Sequence, residues 1–184
     1  DYKERTTAFA DVGAWSVTQV NVTGGGADPA RIGAALITPN VLSVLGVPPL
    51  MGRGFTEAEA AAVPSTVVLL SHEIWQHRFG GEPVLGRTVE INGVAREVIG
   101  VMPRGFRLPT DYVIDAEEPT RLWMPLQLNP ENRGSHGYHA VARLAPGVSL
   151  DQANAQLRAL TRTLTAEGLY PEPMQFSAFA VSTT

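Results

Sequence analysis

Ser71, His72 and Glu73 are the three side-chain types of a hydrolytic triad, set next to one another in the chain. Triads are assembled from separate segments that converge, whereas neighbouring side chains on a helix diverge. The pattern therefore points to Ser71 as a helix cap. His72 and His77 stand five apart on the same predicted helix, about 140° around its axis, and do not converge on one metal. His136 and His139 fall in a polar loop and the strand after it, with no carboxylate or third histidine at ligand spacing.

The glycine clusters Gly24-Gly25-Gly26 and Gly52-Arg53-Gly54 raise the question of phosphate binding. Neither has the spacing of a nucleotide fingerprint or leads into a helix with Lys-Ser or Lys-Thr, so both read as turns. Asp111, Asp115, Glu117 and Glu118 lack the ordered oxygen spacing and glycine of a calcium loop and read as a solvated loop. Trp15, Trp75 and Trp123, spread over three elements, read as core anchors. Spacing thus assigns no catalytic, cofactor-binding or metal-ligating residue.

Composition narrows the classes further. The 184 residues are 44% hydrophobic, enough to fill a core, and only 17% charged. A net charge of −4 argues against a phosphate-neutralising surface and so against nucleic acid as partner. With no cysteine there is no disulfide framework and no thiolate metal site. No signal peptide is visible after the opening DYKER, and no run approaches the roughly 20 apolar residues of a membrane span. The abrupt ends read like those of a piece cut from a longer protein.

The elements that must carry any site follow from periodicity and punctuation. Phe9 to Val22 and Arg31 to Ile37 are predicted strands around a Gly-rich turn. Thr38 is a candidate N-cap, with Pro39 at the first position, for a short helix carrying Val41, Leu42 and Leu45 and ending at Gly46. The following PPLMGRGF holds too much Pro and Gly for a regular element. Thr56 and Glu59 form a capping-box pattern. Val67 to Leu70 reads as a strand buried on both faces. Ser71 opens a helix from His72 to about Phe79.

Asn92-Gly93 between Thr88 to Ile91 and Ala95 to Val101 is the strongest hairpin signal in the chain. Phe106 begins a long irregular stretch that ends at Leu122 to Leu126. Tyr138 to Leu144 alternates, with Ala140 and Ala142 on one side and His139, Val141 and Arg143 on the other. Ser149 and Gln152 form a second capping box before a helix with Ala153, Leu157, Leu160 and Leu164 on one face. Gln175 to Val181 is predicted as a last strand. Strand-helix units at both ends, with a different middle, suggest an α+β chain of two lobes. A split ferredoxin-like (β-α-β) lobe would comprise 1–50 and 130–184, and an inserted mixed α/β lobe 51–129.

As a set, these segments resemble the MacB-type periplasmic core domain. The resemblance rests on Pro39 to Val47 with Gly52 to Thr56, Val67 to Ser71, Trp75 to Gly81, Gly86 to Thr88, Ile91 to Gly93, Val98 to Pro103, Leu122 to Leu126 and Ala142 to Leu150. An aromatic common in the family is replaced here by Asn40 and Val41. The resemblance implies an extracytoplasmic, periplasmic domain between the first and second membrane helices of an ABC transporter permease. It looks most like the duplicated-permease variety, whose chain need not carry its own ATPase domain. The implied architecture is a porter-like lobe with an inserted sabre-like lobe, agreeing with the split read from pattern.

The implied role is mechanotransmission. ATP hydrolysis by an ATPase subunit would move the membrane helices of a permease dimer, and the outer domain would pass that motion to an adaptor, a lipoprotein or a peptide or small-molecule cargo. No ATP would bind in the domain itself. Two alternatives remain: a free-standing extracytoplasmic ligand-binding module, and a hydrolase using Ser71 or His139. Termini emerging on one side of one lobe would favour the permease.

Overall fold

Fifteen largely β-branched and aromatic residues, Phe9–Thr23, form strand β1 in the computed structural model, which describes residues 2–24, 27–113, 119–128, 137–169 and 178–182. A short helix α1 (Tyr2–Arg5) precedes it. The length of β1 lets it serve three partners, all antiparallel. Trp15 to Val22 pairs with β2 (Ala30–Ile37), Phe9 to Trp15 with β8 (His139–Leu144), and Val22 and Thr23 with β5 (Thr88–Ile91).

The remaining pairings run from β2 back to β5. β2 lies parallel to β7 (Leu122–Pro125), β7 antiparallel to β4 (Val67–Leu70), and β4 parallel to β6 (Val94–Val101). β6 closes the hairpin with β5 and also pairs with the two-residue β3 (Met51–Gly52). Because β5 returns to β1, the strands β1, β2, β7, β4, β6 and β5 close a circuit, with β8 added to β1. The protein is thus α+β with a mixed sheet. Strands from both ends of the chain and from its middle share that sheet.

The period-2 alternation of the strands divides the core between two faces. Val20, Val22, Ile32, Ala34, Val68, Leu70, Val98 and Leu122 face one cluster, and Trp15, Ala35, Ile37, Val67, Leu69, Ile99 and Trp123 face the other. Helix α4 (His72–Phe79) covers the first with Ile74 and Phe79; α2 (Val41–Leu45) covers the second with Val41 and Leu42. The four residues of β4 and of β7 are buried without exception, which is why they read as unbroken apolar runs.

Local signals produce the expected ends. The Ser71 hydroxyl accepts from the Ile74 amide, and α3 (Glu57–Ala61) and α6 (Leu150–Ala166) begin with complete capping boxes at Thr56/Glu59 and Ser149/Gln152. Ala153, Leu157, Leu160 and Leu164 form the buried stripe of α6. Asn92 and Gly93 both have positive φ, 50° and 76°, as the tight hairpin requires. His139, Val141 and Arg143 share the α2 side of β8: the His139 ring stands 5.7 Å from that of Trp15, Val141 packs on the Trp15 cluster, and Arg143 Nη2 donates to the Val44 carbonyl at 2.6 Å.

Four expectations are corrected. Thr38 does not cap α2; Asn40 occupies the N-cap without a side-chain bond to the helix. The Thr38 hydroxyl is engaged elsewhere, accepting from the Ala14 amide and donating to Asn40 Oδ1, while Asn40 Nδ2 donates to Asp11 Oδ1 and the Val12 carbonyl. Side chains that could cap are thus spent tying the turn to β1. Second, PPLMGRGF contains β3, made possible by Gly52 at φ +77°, where a Cβ would lie 2.1 Å from the Ile99 carbonyl oxygen.

Third, the stretch after Phe106 includes a helical turn, α5 (Thr110–Val113). Fourth, the described part of the predicted last strand, 178–181, joins no ladder. The Asn154 side chain substitutes for a neighbouring strand, with Oδ1 accepting from the Ala180 amide at 2.6 Å and Nδ2 donating to its carbonyl at 3.1 Å. Residues 175–177 of that prediction lie outside the described residues.

Candidate functional site

The residues with catalytic or ligand-binding types are placed in structural roles. Ser71 is buried and caps α4. Glu73 accepts from the Gly105 amide at 3.3 Å. Partial burial opposes its charge, yet hydrogen bonds from its own amide, from Gly105 and from Ser71 leave the carboxyl below its ordinary range. A general acid at neutral pH needs the opposite shift. His72 stands edge-on to Trp75 with ring centroids 5.4 Å apart. Among the described residues no group of three or more His, Asp or Glu is placed to hold a metal. His136 lies outside them.

The glycine clusters are likewise structural. Arg53, between Gly52 and Gly54, makes a two-point ion pair with Glu59 at 2.9 and 2.6 Å. Glu59 also accepts from the Thr56 amide and hydroxyl, so one carboxylate joins the Gly-Arg-Gly turn to the cap of α3. The Gly24 carbonyl accepts from Arg78; Gly25 and Gly26 lie outside the described residues. Asp111 is buried and accepts from the Leu108 amide and from the Thr120 amide and hydroxyl. Asp115, Glu117 and Glu118 lie outside the described residues. Trp15 and Trp123 are core anchors, at 2% and 0% exposure, and Trp75 is half-buried, its indole donating to the Glu82 carbonyl.

Two arrangements stand out instead. At one, segments from opposite ends of the chain meet: Arg5 grips Glu167 at 2.7 and 2.6 Å, and the Thr7 amide donates to Gln156 Oε1 at 3.1 Å. The structure brings α1, Thr7 just before β1, and α6 with its C-cap into one joint. That Glu167, at the end of α6, anchors residue 5 required the fold.

At the other, Arg31, Arg78 and Arg121 gather around a cavity of about 290 Å³ with Ala30, Ile32, Gly33, Ile74 and Pro119. Ile74 and Arg78 stand four apart on α4, one helical turn. Arg31 and Arg121 come from strands that sequence order separates, and nothing local signalled their convergence.

A family model described as the MacB-like periplasmic core domain matches residues 1–160. The chain belongs to this family. Solved structures of MacB-like domains show the same fold. The periplasmic region of MacB from Actinobacillus actinomycetemcomitans has a TM-score of 0.67 at 18% identity, over 89% of this chain and 71% of that one. The extracellular domain of the noncanonic ABC-type transporter YknZ from Gram-positive bacteria has 0.64 at 20%, over 91% and 80%. A domain of a putative permease from Porphyromonas gingivalis has 0.62 at 17%, over 88% and 67%. No curated protein matches. Among the described residues no helix is long and apolar enough to cross a membrane.

Proposed function

We propose that this MacB-like domain is the extracytoplasmic part of an ABC transporter permease and passes ATP-driven motion of membrane helices to an extracytoplasmic partner or cargo. The family match over residues 1–160 is the observation that carries the reading. Its likeness in fold to a MacB periplasmic region and to the extracellular domain of an ABC-type transporter agrees with it. No reaction is assigned to the domain, and no cofactor.

The joint at Arg5 and Glu167 supports the mechanical part. Motion delivered through α1 would reach the end of α6 through this pair and β1 through the residues that follow α1. From β1 it would pass through the β2 and β5 ladders into the middle of the chain. In this reading the lobes 1–50 with 130–184 and 51–129 describe how the chain is inserted, and the shared ladders make them move as one body. An ATPase subunit, a second permease copy and an adaptor or cargo are the partners it requires.

The test is topology in the full-length protein. With no native cysteine in this domain, Arg87→Cys supplies a thiol on an exposed position. A membrane-impermeant maleimide should label it in intact cells. Labelling only after the membrane is opened would contradict the reading.

A further inference from the structure

The cavity between β2, α4 and the residues before β7 has a chemistry that a purely mechanical body does not need. Arg31 enters from β2, Arg78 from α4, and Arg121 immediately precedes β7, where its backbone is fixed by bonds from its amide to the Gly33 carbonyl and from the Ser71 amide to its own carbonyl. Three arginines are thus among the residues that line about 290 Å³, and among the described residues no carboxylate lines it with them. This occurs in a chain whose acidic residues outnumber its basic ones, 18 to 14.

Arg78 is the centre of the arrangement. It is only 9% exposed, and its Nη2 donates to the carbonyls of Gly24, Ala27 and Asp28 at 3.2, 3.2 and 2.8 Å. Those three bonds fix the side chain, but among the described residues no carboxylate pairs with it and its buried Nε has no partner. A buried donor without a partner is costly, and a buried cation is ordinarily paired. Arg31 and Arg121 are exposed and make no side-chain hydrogen bond or ion pair among the described residues. No described residue occupies their donors. Ile32, Ile74, Ala30 and Pro119 supply an apolar wall beside them.

We propose that this cavity binds an oxyanion, carboxylate or phosphate, carried on a small apolar group. Guanidinium forks suit both headgroups by paired N–H···O bonds. The volume, at the low end for ligand pockets, limits the occupant to a small molecule or the end of a chain. The site is independent of the transport reading, since it rests on the cavity alone.

Calorimetric titration of the full chain with benzoate and with phenyl phosphate tests it, with benzamide as the uncharged control. Either anion should bind and benzamide should not; the tighter of the two identifies the preferred headgroup. The double variant Arg31→Gln/Arg121→Gln should weaken binding at least tenfold while leaving the thermal midpoint unchanged, because neither side chain holds the fold. Arg78→Lys, which keeps the charge but loses the fork, should weaken it as well. Absence of binding by both anions, or equal binding by wild type and the Arg31/Arg121 variant, would overturn the proposal.

Discussion

Arg5 and Glu167, 162 positions apart, meet in a two-point ion pair that joins the first helix of the chain to the end of α6. The pair is solvent-accessible, at 31% and 43% side-chain exposure, so its worth lies in geometry rather than in stability. Replacing both by cysteine should permit efficient bridging by a short bis-maleimide, since the chain supplies no competing thiol. The thermal midpoint of Glu167→Gln should stay close to that of wild type. Failure of the bridge to form would show that the two ends are not held together.

Gly52 and Gly54 flank Arg53 but should respond differently to alanine. At Gly52 the backbone is left-handed and a Cβ would meet the Ile99 carbonyl at 2.1 Å; at Gly54 the nearest atom is Leu42 Cδ1 at 3.9 Å. Gly52→Ala should cost more than about 2 kcal/mol, through strain and loss of the β3 pairing. Gly54→Ala should remain within about 0.5 kcal/mol of wild type. Urea denaturation of the two variants measures the contrast.

The Arg53 guanidinium, followed by bonds from Thr56, holds the Glu59 carboxyl down at about 2. A carboxylate whose folded pKa lies below its unfolded value stabilises the fold above the ordinary carboxylate range, and that contribution disappears as pH falls toward 2. Because Arg53 is 53% exposed, solvent screening keeps the contribution to about 1 kcal/mol or less. Glu59→Gln should lower stability at neutral pH and flatten its decline between about pH 4.5 and 2. An unchanged acid limb would contradict this linkage.

What the sequence disclosed was local. Ser71, Thr56, Ser149 and Asn92-Gly93 act within three or four residues of themselves, so their roles follow from spacing. The burial of Val67 to Leu70 followed from composition. Pairings that depend on remote partners were not legible: nothing near Leu122 indicates that it lies parallel to β2, and nothing near Met51 indicates β6. The Arg5 joint and the three-arginine cavity were hidden for the same reason. Thr38 misled because a hydroxyl suited to capping found a partner on β1 instead.

The same competition explains Ala180. Its amide and carbonyl are satisfied by Asn154 rather than by a neighbouring strand. Asn154→Ala should therefore abolish hydrogen-exchange protection at the Ala180 amide. The global cost should be no more than about 1–2 kcal/mol, the scale of one or two hydrogen bonds. Retained protection would indicate that residues 178–182 are held by a ladder after all.

Whether the domain moves as one body on ATP turnover is measured by pulsed EPR on the full-length transporter in lipid. Spin labels at Arg87→Cys and Arg158→Cys occupy exposed positions in the middle and near the end of the chain. Between two permease copies, the Arg87–Arg87 distance should change when the nucleotide-free transporter is trapped with ATP and vanadate. Within one copy, the Arg87–Arg158 distance should stay the same. An Arg87–Arg87 distribution identical in the two states would contradict the account.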